Sequence, residues 1–569
     1  MMLQGKDRGA LSPVAVAMTS GCRAMYRHVM RSLRQSLSQS LRRFSRDEDG
    51  VLLIFTMFLF LLMCMMGGVA VDLMRFEQQR TKMQQTLDRS VLAAASMTQR
   101  LDAEDVVNDY FTKAGMEQYL DEVEAPEGLN FRQVRARASA DVPTFLMHLV
   151  GIDNLQAVAG SEAEQRITNV EVSMVLDVSR SMVLYPNQSS NPQKFQNLKD
   201  AATEFVETVL ENDIEDRISI SLVPYNGQVN LGPDLMDQYT VSHQHNYPNS
   251  HCLDLPQWTY NSHHIPTNTA FPQAGFFDSF TATTRDNRWR SSPSFTQGNG
   301  NFLNVWCQPI AANIIRPLQN DVGQLTGYIN NLVAVGATSI DLGLKWGLNL
   351  LSPNSRQMVT NLRNRNIVPD EFDGRPLDFS AEDAMKVIVL MTDGEHFAFE
   401  ALNDTYRSGN SDIWRSRGDG HLSVRPPGYN QYWVPHRDEW RSSPWNTGGG
   451  SATRLSWPEV WQDYPVQWVA WQLYARATGT NQYTIWLNRF RSQTPTNTMD
   501  NRLQDVCNLA KNNGIIIYGI AFELESSNGA NQIRNCSTSE SHFFDVEGLE
   551  LRTAFRAIAN NISQLRLTQ

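Results

Sequence analysis

Oxygen-bearing side chains at the end of an apolar run are the first residues of this sequence that could do chemistry. The run from Val170 to Leu176 has the length and β-branched content of a buried strand, and Asp177, Ser179 and Ser181 follow it. In an open α/β sheet, ligands bind at the carboxyl ends of the strands. One carboxylate and two hydroxyls suit a hard cation such as Mg²⁺ better than Zn²⁺ or copper. The stretch therefore predicts a magnesium site at the end of a strand.

Two later stretches offer further oxygen ligands. A second apolar run ends in the tight turn Thr392-Asp393-Gly394, and Thr338 stands before a helical pattern between the two runs. The order of D-x-S-x-S after a strand, a loop threonine and T-D-G after another strand resembles the von Willebrand factor A (vWA) domain with its metal-ion-dependent adhesion site (MIDAS). The departure from the family pattern is Arg180, where the family most often has glycine, and it places a cation beside the site.

The vWA resemblance implies a role for each of these side chains. Ser179, Ser181 and Thr338 would coordinate Mg²⁺ (or Mn²⁺) through their hydroxyls. Asp177 and Asp393 would contribute directly or through water. Because hydroxyl donors leave the ion underneutralised, an acidic side chain of a protein partner would complete the site.

Strand and helix patterns alternate through the larger part of the chain. Residues 166–569 are predicted to form one vWA domain, an α/β fold with a doubly wound, mostly parallel, Rossmann-like sheet. Two insertions, at about 226–330 and 396–500, are rich in polar and aromatic residues and have few periodic apolar runs. They either shape the approach to the ion or are decorations packed by their own aromatic side chains.

An apolar segment near the N-terminus predicts a membrane anchor. Residues 51–71 carry no charge and are long enough for a helix across a hydrocarbon core of about 30 Å. Residues 1–50 are a basic segment, and arginines before a span predict a cytoplasmic N-terminus with the vWA domain exported. We therefore expect a single-pass inner-membrane protein with a periplasmic vWA domain. A cleaved signal peptide is the alternative, but no clear A-x-A site closes the long run.

The segment after the span is predicted in two parts. Residues 72–101 keep near-heptad apolar spacing and are predicted to continue the helix as a stalk. Residues 102–165 are predicted to form a small α+β connecting module, with alternating strands at 134–142 and 155–159 and a helical segment after Pro143.

The sequence around the span resembles the N-terminal region of pilus-assembly proteins of the Tad (tight adherence) Flp system. The resemblance rests on D-E-D-G-V-L-L-I-F-T-M-F, on V-D-L-M-R and L-D-R-S-V-L-A-A-A after it, and on the closing L-R-L-T-Q, which resembles the end of TadG-type proteins. It implies a component that anchors or organises the pilus machinery rather than catalyses, with other assembly components as partners.

The cysteines of the exported part are even in number. Cys252, Cys307, Cys507 and Cys536 allow three pairings. We expect Cys252 with Cys307, closing the first insertion, and Cys507 with Cys536, tying a helix to the loop beyond the next strand. Free buried cysteines are the alternative.

Several function classes are disfavoured by the motifs that the sequence lacks and by its net charge. The sequence has no H-E-x-x-H, G-x-S-x-G, Walker A or G-x-G-x-x-G motif, so we predict that the protein is not an enzyme. A metal-dependent hydrolase would also lack a candidate general base. The net charge of −11 argues against nucleic-acid binding. The alternative function is a membrane-tethered adhesin that grips an external ligand directly.

Two weaker motifs suggest other ligands. Five histidines near Cys252 allow a zinc site, but their spacing matches no structural zinc pattern. The tripeptide Arg417-Gly418-Asp419 allows integrin recognition, but three residues recur by chance in loops.

Overall fold

The structure, a computed structural model, describes residues 49–568 except 97–98, 100, 127–130, 167–168, 186, 212, 214–215, 282–303, 382 and 525. The arginine-rich flank, on which the predicted orientation in the membrane depends, lies outside the described residues. The chain has a mixed α/β fold and divides into two compact units. One extends to Glu164 and the other begins at Gln165.

The first unit contains one long helix, α1 (Asp49–Ala94). It is long and apolar enough to cross a membrane, and the side chains of its apolar first half are largely exposed. Farther along, Met83, Leu87 and Val91 recur every four residues and are fully buried on one face. Because this face belongs to the core of the first unit, the segment predicted as a stalk is partly a core helix.

A small sheet and a second helix complete the core of the first unit. Alternate residues of the predicted strand at 134–142, such as Val134, Ala136 and Ala138, are buried against α1. The strands lie in the order β1-β2-β3, and the first two pair antiparallel. The elements are α2 (Ala103–Lys113), β1 (Leu120–Glu124), β2 (Phe131–Pro143) and β3 (Asn154–Arg166).

The second unit contains many short strands besides the long ones. The strands are β4 (Asn169–Asp177), β5 (Ile218–Tyr225), β6 (Thr240–Ser242), β7 (Ala270–Pro272), β8 (Phe277–Asp278), β9 (Val305–Trp306), β10 (Arg316–Gln319), β11 (Ala384–Thr392), β12 (Phe399–Leu402), β13 (Asn410–Arg415), β14 (Leu422–Val424), β15 (Tyr432–Val434), β16 (Glu439–Arg441), β17 (Thr453–Ser456), β18 (Arg491–Thr494), β19 (Ile516–Phe522) and β20 (Phe543–Val546).

Its helices alternate with these strands. They are α3 (Pro192–Leu210), α4 (Gly232–Met236), α5 (Val322–Asn331), α6 (Ile340–Leu351), α7 (Arg356–Arg363), α8 (Trp457–Asp463), α9 (Val466–Trp468), α10 (Arg476–Thr478), α11 (Tyr483–Phe490), α12 (Thr496–Asn512), α13 (Ser527–Cys536) and α14 (Glu550–Thr568). A π-helical segment, Val469–Ala475, joins α9 to α10.

A six-stranded sheet organises the second unit. Its spatial order is β10-β5-β4-β11-β19-β20, and every neighbouring pair is parallel except β10 with β5. Successive residues of β4 enter opposite cores, Met174 packing with α3, α5 and α14 and Val175 with α6, α12 and α13. Burial on both faces explains the continuous apolar runs of the central strands.

The predicted insertions differ in part from the structure. The predicted first insertion, about 226–330, contains β10 and nearly all of α5, but β10 joins the main sheet and α5 packs on it. A four-residue edge strand is too short to give a periodic signal.

The second insertion builds an aromatic core around residues such as Trp457, Trp461 and Phe490, together with Trp306 from the first insertion. Packing by their own aromatic side chains is therefore observed.

Two disulfides are formed in the second unit. Cys252 is bonded to Cys307 and Cys507 to Cys536, as the sequence analysis predicted. The second bond joins α12 to α13 on one side of the sheet.

Candidate functional site

Two neighbouring strands of the main sheet end beside each other. β4 ends at Asp177 and β11 at Thr392, and the strands are parallel with Leu176 opposite Met391. Parallel strands have their carboxyl ends at the same edge of a sheet, so the loops that follow them meet. The predicted site residues of both loops therefore lie at one corner.

The Asp177 side chain is fully buried and accepts a hydrogen bond on each oxygen. Its Oδ1 accepts from the backbone N–H of Ser179 at 2.8 Å, and its Oδ2 accepts from the Thr392 hydroxyl at 2.8 Å. The Tyr225 hydroxyl lies 3.5 Å from Oδ2 and donates to the Met391 carbonyl at 3.0 Å. These contacts fix the carboxylate between the two strand ends.

Three side-chain oxygens beside this carboxylate form a row in which each contacts the next. Ser179 Oγ is 2.7 Å from Ser181 Oγ, and Ser181 Oγ donates to Asp393 Oδ1 at 2.7 Å. Neighbouring ligands of an octahedral Mg²⁺ lie about 3 Å apart, because each Mg–O distance is about 2.1 Å. The spacing and the all-oxygen donor set fit a hard divalent cation.

Thr338 reaches the same corner from the loop before α6. That loop is joined to the first one by the Arg180 N–H, which donates to the Gly336 carbonyl at 3.1 Å. A Cβ placed on Gly394 would lie 3.9 Å from Thr338 Oγ1 and 3.7 Å from Ser181 Oγ. The structure thus brings all five predicted site residues together.

A buried lysine that no sequence motif predicts also lies at this corner. Lys194, in the first turn of α3, places Nζ 2.7 Å from Asp393 Oδ2 and 4.0 Å from Glu523 Oε2. Its side chain is only 6% exposed. No local motif distinguishes this lysine from others, because only the sheet topology brings α3 to Asp393. Lys194 binds one oxygen of that carboxylate, and the other oxygen faces Ser181.

Burial raises the pKa of both acids. For Asp177, burial is the larger cause and the charge of Asp393 adds to it, so that its pKa rises to about 7. Burial also raises the pKa of Asp393, although Lys194 and Ser181 oppose the shift. A bound cation would stabilise the ionised form of both carboxylates.

A pocket of about 240 Å³ opens over Ser181 and Asp393. Glu395 and Glu523 contribute carboxylates to its wall, and Lys194 contributes a positively charged ammonium group. The lining residues fall at 181–194, 393–395 and 523–526, outside both predicted insertions. Three strand-end loops and the start of α3 therefore shape the approach to the site.

The two weaker motifs lie elsewhere in the second unit. Cys252 is disulfide-bonded, and His245 Nε2 donates to the Ala274 carbonyl at 3.0 Å, so neither supports the zinc alternative. Asp419 of the Arg-Gly-Asp tripeptide accepts a hydrogen bond from Trp445 Nε1 at 2.9 Å.

A family model matches the N-terminal part of the chain. Residues 50–97 match the Tad family of Flp pilus-assembly TadE/G-like proteins. The matched segment contains most of α1, including the apolar half. No curated protein matches the sequence significantly.

Several solved structures are similar to the chain at low TM-scores. The vWF domain of the type V pili tip protein Mfa5 from Porphyromonas gingivalis is 15% identical, covering 71% of this chain and 97% of that one, with a TM-score of 0.30. The adhesive tip pilin GBS104 from Group B Streptococcus agalactiae is 11% identical, covering 69% and 99%, with a TM-score of 0.29. The pilus adhesin RrgA from Streptococcus pneumoniae is 11% identical, covering 78% and 50%, with a TM-score of 0.30.

Proposed function

We propose that this chain is a non-catalytic, membrane-anchored protein of Tad Flp pilus assembly, whose second unit is a doubly wound vWA domain that binds a protein partner. The family match over residues 50–97 supports the pilus assignment. The observation that carries the binding function is the chain of contacts from Asp177 through Ser179 and Ser181 to Asp393.

The binding site would use Mg²⁺ (or Mn²⁺). Ser179, Ser181 and Thr338 would hold the ion through their hydroxyls, with Asp177 and Asp393 binding directly or through water. When bound, the ion would supply the positive charge that attracts an acidic side chain of the partner. The hydrogen bonds to Asp177 orient the serine loop for this purpose.

The charges of the pocket make partner binding depend on the ion. Glu395, Glu523 and Asp393 line the pocket. Without a divalent cation these carboxylates would repel an acidic ligand, and Lys194, the basic residue among the described residues that line the pocket, offsets one of their charges. A cation at the serines would reverse the local field.

The proposed location is the inner membrane, with the second unit in the periplasm. The apolar half of α1 supports a single span. The two disulfides support an oxidising compartment, because cytosolic thiols are kept reduced.

Thermal unfolding of the full chain in detergent tests the ion site. Saturating Mg²⁺ should raise the Tm of wild type by a few degrees over a chelator, because an ion that binds only the native state stabilises it by about 2.7 kcal/mol at 100 times its Kd. Asp177→Asn keeps the shape of the side chain but removes the charge, and should lose the shift. Asp200→Asn, the same change at a residue of α3 that is not part of the site, should keep it. An equal shift in Asp177→Asn would refute the site.

Crosslinking in intact cells tests the partner. We expect a protein adduct of the second unit that disappears with chelator or with Asp177→Asn and that contains a pilus-assembly component. An adduct that is insensitive to both treatments would contradict ion-dependent binding.

A further inference from the structure

A short loop of the first unit exposes several apolar side chains. The loop Thr144–Ile152 contains no acidic or basic side chain other than His148. Phe145 and Leu149 are each 66% exposed, and Val150 and Ile152 are also exposed. Contiguous apolar exposure in an ordered segment marks an interaction surface.

The loop is ordered by its own hydrogen bonds. The Thr144 hydroxyl donates to the Ile152 carbonyl at 2.6 Å, and the Thr144 N–H donates to the Asp153 carbonyl at 3.0 Å, which closes the loop at its base. Between them, a single 3₁₀ turn, Met147–Val150, ends at Gly151 with φ +86°. The exposed side chains are therefore held outward by a defined backbone.

One carboxylate of α1 holds the loop against the helix. Asp72 Oδ1 accepts from the Phe145 N–H at 2.7 Å, and Oδ2 accepts from the N–H groups of Leu146 and Met147 at 2.8 and 2.9 Å. These donors would otherwise be unpaired at the start of the 3₁₀ turn. Asp72 is 2% exposed and is the first charged residue after the apolar span.

The loop also contacts α1 within the apolar segment itself. Gly68 lies one helical turn before Asp72, on the same face. A Cβ on Gly68 would overlap the side chain of Leu146, with Leu146 Cβ only 2.7 Å away. The loop therefore packs at the level of residues that, in a membrane-anchored protein, lie within the bilayer.

We propose that the Thr144–Ile152 loop is inserted into the lipid bilayer beside the end of the span, as a second membrane contact of the first unit. The inference rests on the proposed membrane anchor. Lipid fits better than a protein partner because the apolar surface of the loop is continuous with that of α1 at Gly68. A helix and a loop embedded together fix the rotation of the first unit about the span, which one helix alone leaves free.

Spin-label accessibility in phospholipid vesicles tests the proposal on the full chain. Cys22 and Cys64 are replaced by serine, the disulfides are kept oxidised, and single labels are placed by Leu149→Cys, Phe60→Cys in the span and Val158→Cys. The Leu149 label should collide often with oxygen and rarely with a water-soluble nickel chelate, like the Phe60 label. The Val158 label, also on an exposed apolar position of this unit, provides the aqueous reference.

The outcomes separate the loop from the anchor. If the Phe60 label reports lipid but the Leu149 label reports water, the loop proposal is wrong and the anchor stands. If both labels report water, both proposals are wrong. A Leu149 label shielded from oxygen and nickel alike would indicate a protein contact and would overturn insertion into lipid.

A second comparison tests Asp72. Asp72→Ala should release the loop and move the oxygen-to-nickel ratio of the Leu149 label at least severalfold toward the aqueous reference. Asp88→Ala, on the same helix at a residue that accepts a hydrogen bond from the Gln84 side chain, should leave the ratio unchanged. An unchanged ratio in Asp72→Ala would overturn the anchoring role of this carboxylate.

Discussion

At the scale of single residues, charge balance dominates the corner where β4 and β11 end. Asp177 and Asp393 are buried acids whose pKa values are raised, and Lys194 neutralises part of their charge. A divalent cation and the Lys194 ammonium therefore act on the same carboxylate.

Removing the charge of Lys194 should strengthen the binding of Mg²⁺. In Lys194→Gln, Mg²⁺ no longer meets the positive charge of the ammonium group, and its affinity should rise at least about tenfold. Even at the dielectric constant of water, a unit charge about 6 Å from a divalent ion costs about 1.4 kcal/mol. Calorimetric titration of the full chain measures this. Lys199→Gln, on the same helix but bonded to the Asn330 carbonyl, is the control and should not change the affinity. Weaker binding in Lys194→Gln would show that the lysine supports the site.

The buried residue His245 should make the stability of the protein depend on pH. His245 is buried and neutral: Nε2 donates to the Ala274 carbonyl, and Nδ1 accepts from the Tyr247 N–H at 3.2 Å. Burial is the main cause that lowers its pKa to about 4, and the neighbouring histidines His251 and His243 add to it. The unfolded chain takes up this proton at higher pH than the folded one. The stability that His245 contributes is therefore complete above about pH 6.5 and is lost as the pH falls towards 4.

The size of the effect follows from the shift. A pKa lowered from 6.5 to about 4 corresponds to about 3 kcal/mol of stability between these pH values. Denaturant unfolding at several pH values should show a shallower loss for His245→Gln than for wild type. His243→Gln, an exposed neighbour, should follow wild type. Parallel curves for His245→Gln and wild type would contradict the prediction.

At the scale of elements, α6 connects the site to the sheet. Thr338 precedes this helix, and Gly347 within it lets the backbone approach β4 closely. A Cβ on Gly347 would lie 2.6 Å from Val175 Cγ2 and 3.0 Å from Ser173 Oγ. The position of the Thr338 loop thus depends on a close contact of helix and sheet two turns away.

A matched pair of glycines tests this dependence. Gly347→Ala should destabilise the protein by about 1–3 kcal/mol through overpacking and should reduce the Mg²⁺-induced rise in Tm, because α6 must shift. Gly327→Ala in α5 has no atom within 4 Å of the new Cβ and should be neutral or stabilise by up to about 1 kcal/mol. Equal stabilities of the two variants by denaturant unfolding would refute the packing argument.

At the scale of the whole molecule, the apolar span at residues 51–71 belongs to the first unit and precedes the second unit along the chain. Alkaline phosphatase fused after Gln569 should be active, because the enzyme needs periplasmic disulfides, whereas a fusion after Arg43 should be inactive. Immunoblots showing equal amounts of both fusions are the control. The reverse activity pattern would contradict the orientation and the proposed location of the second unit.

The sequence by itself determined the features that depend on neighbours along the chain. The apolar span, the central strands β4 and β11 with their polar ends, and the even cysteine count are local patterns of period, composition or parity. The vWA resemblance, rather than any local pattern, associated Thr338 and Asp393 with the first loop. The tertiary structure alone decided that the predicted stalk buries one face and that β10 joins the main sheet. It also decided that Lys194 forms an ion pair with Asp393 and that the loop at 144–152 packs against Gly68. These contacts join residues far apart in sequence, so they depend on strand order and helix packing, which no local periodicity encodes.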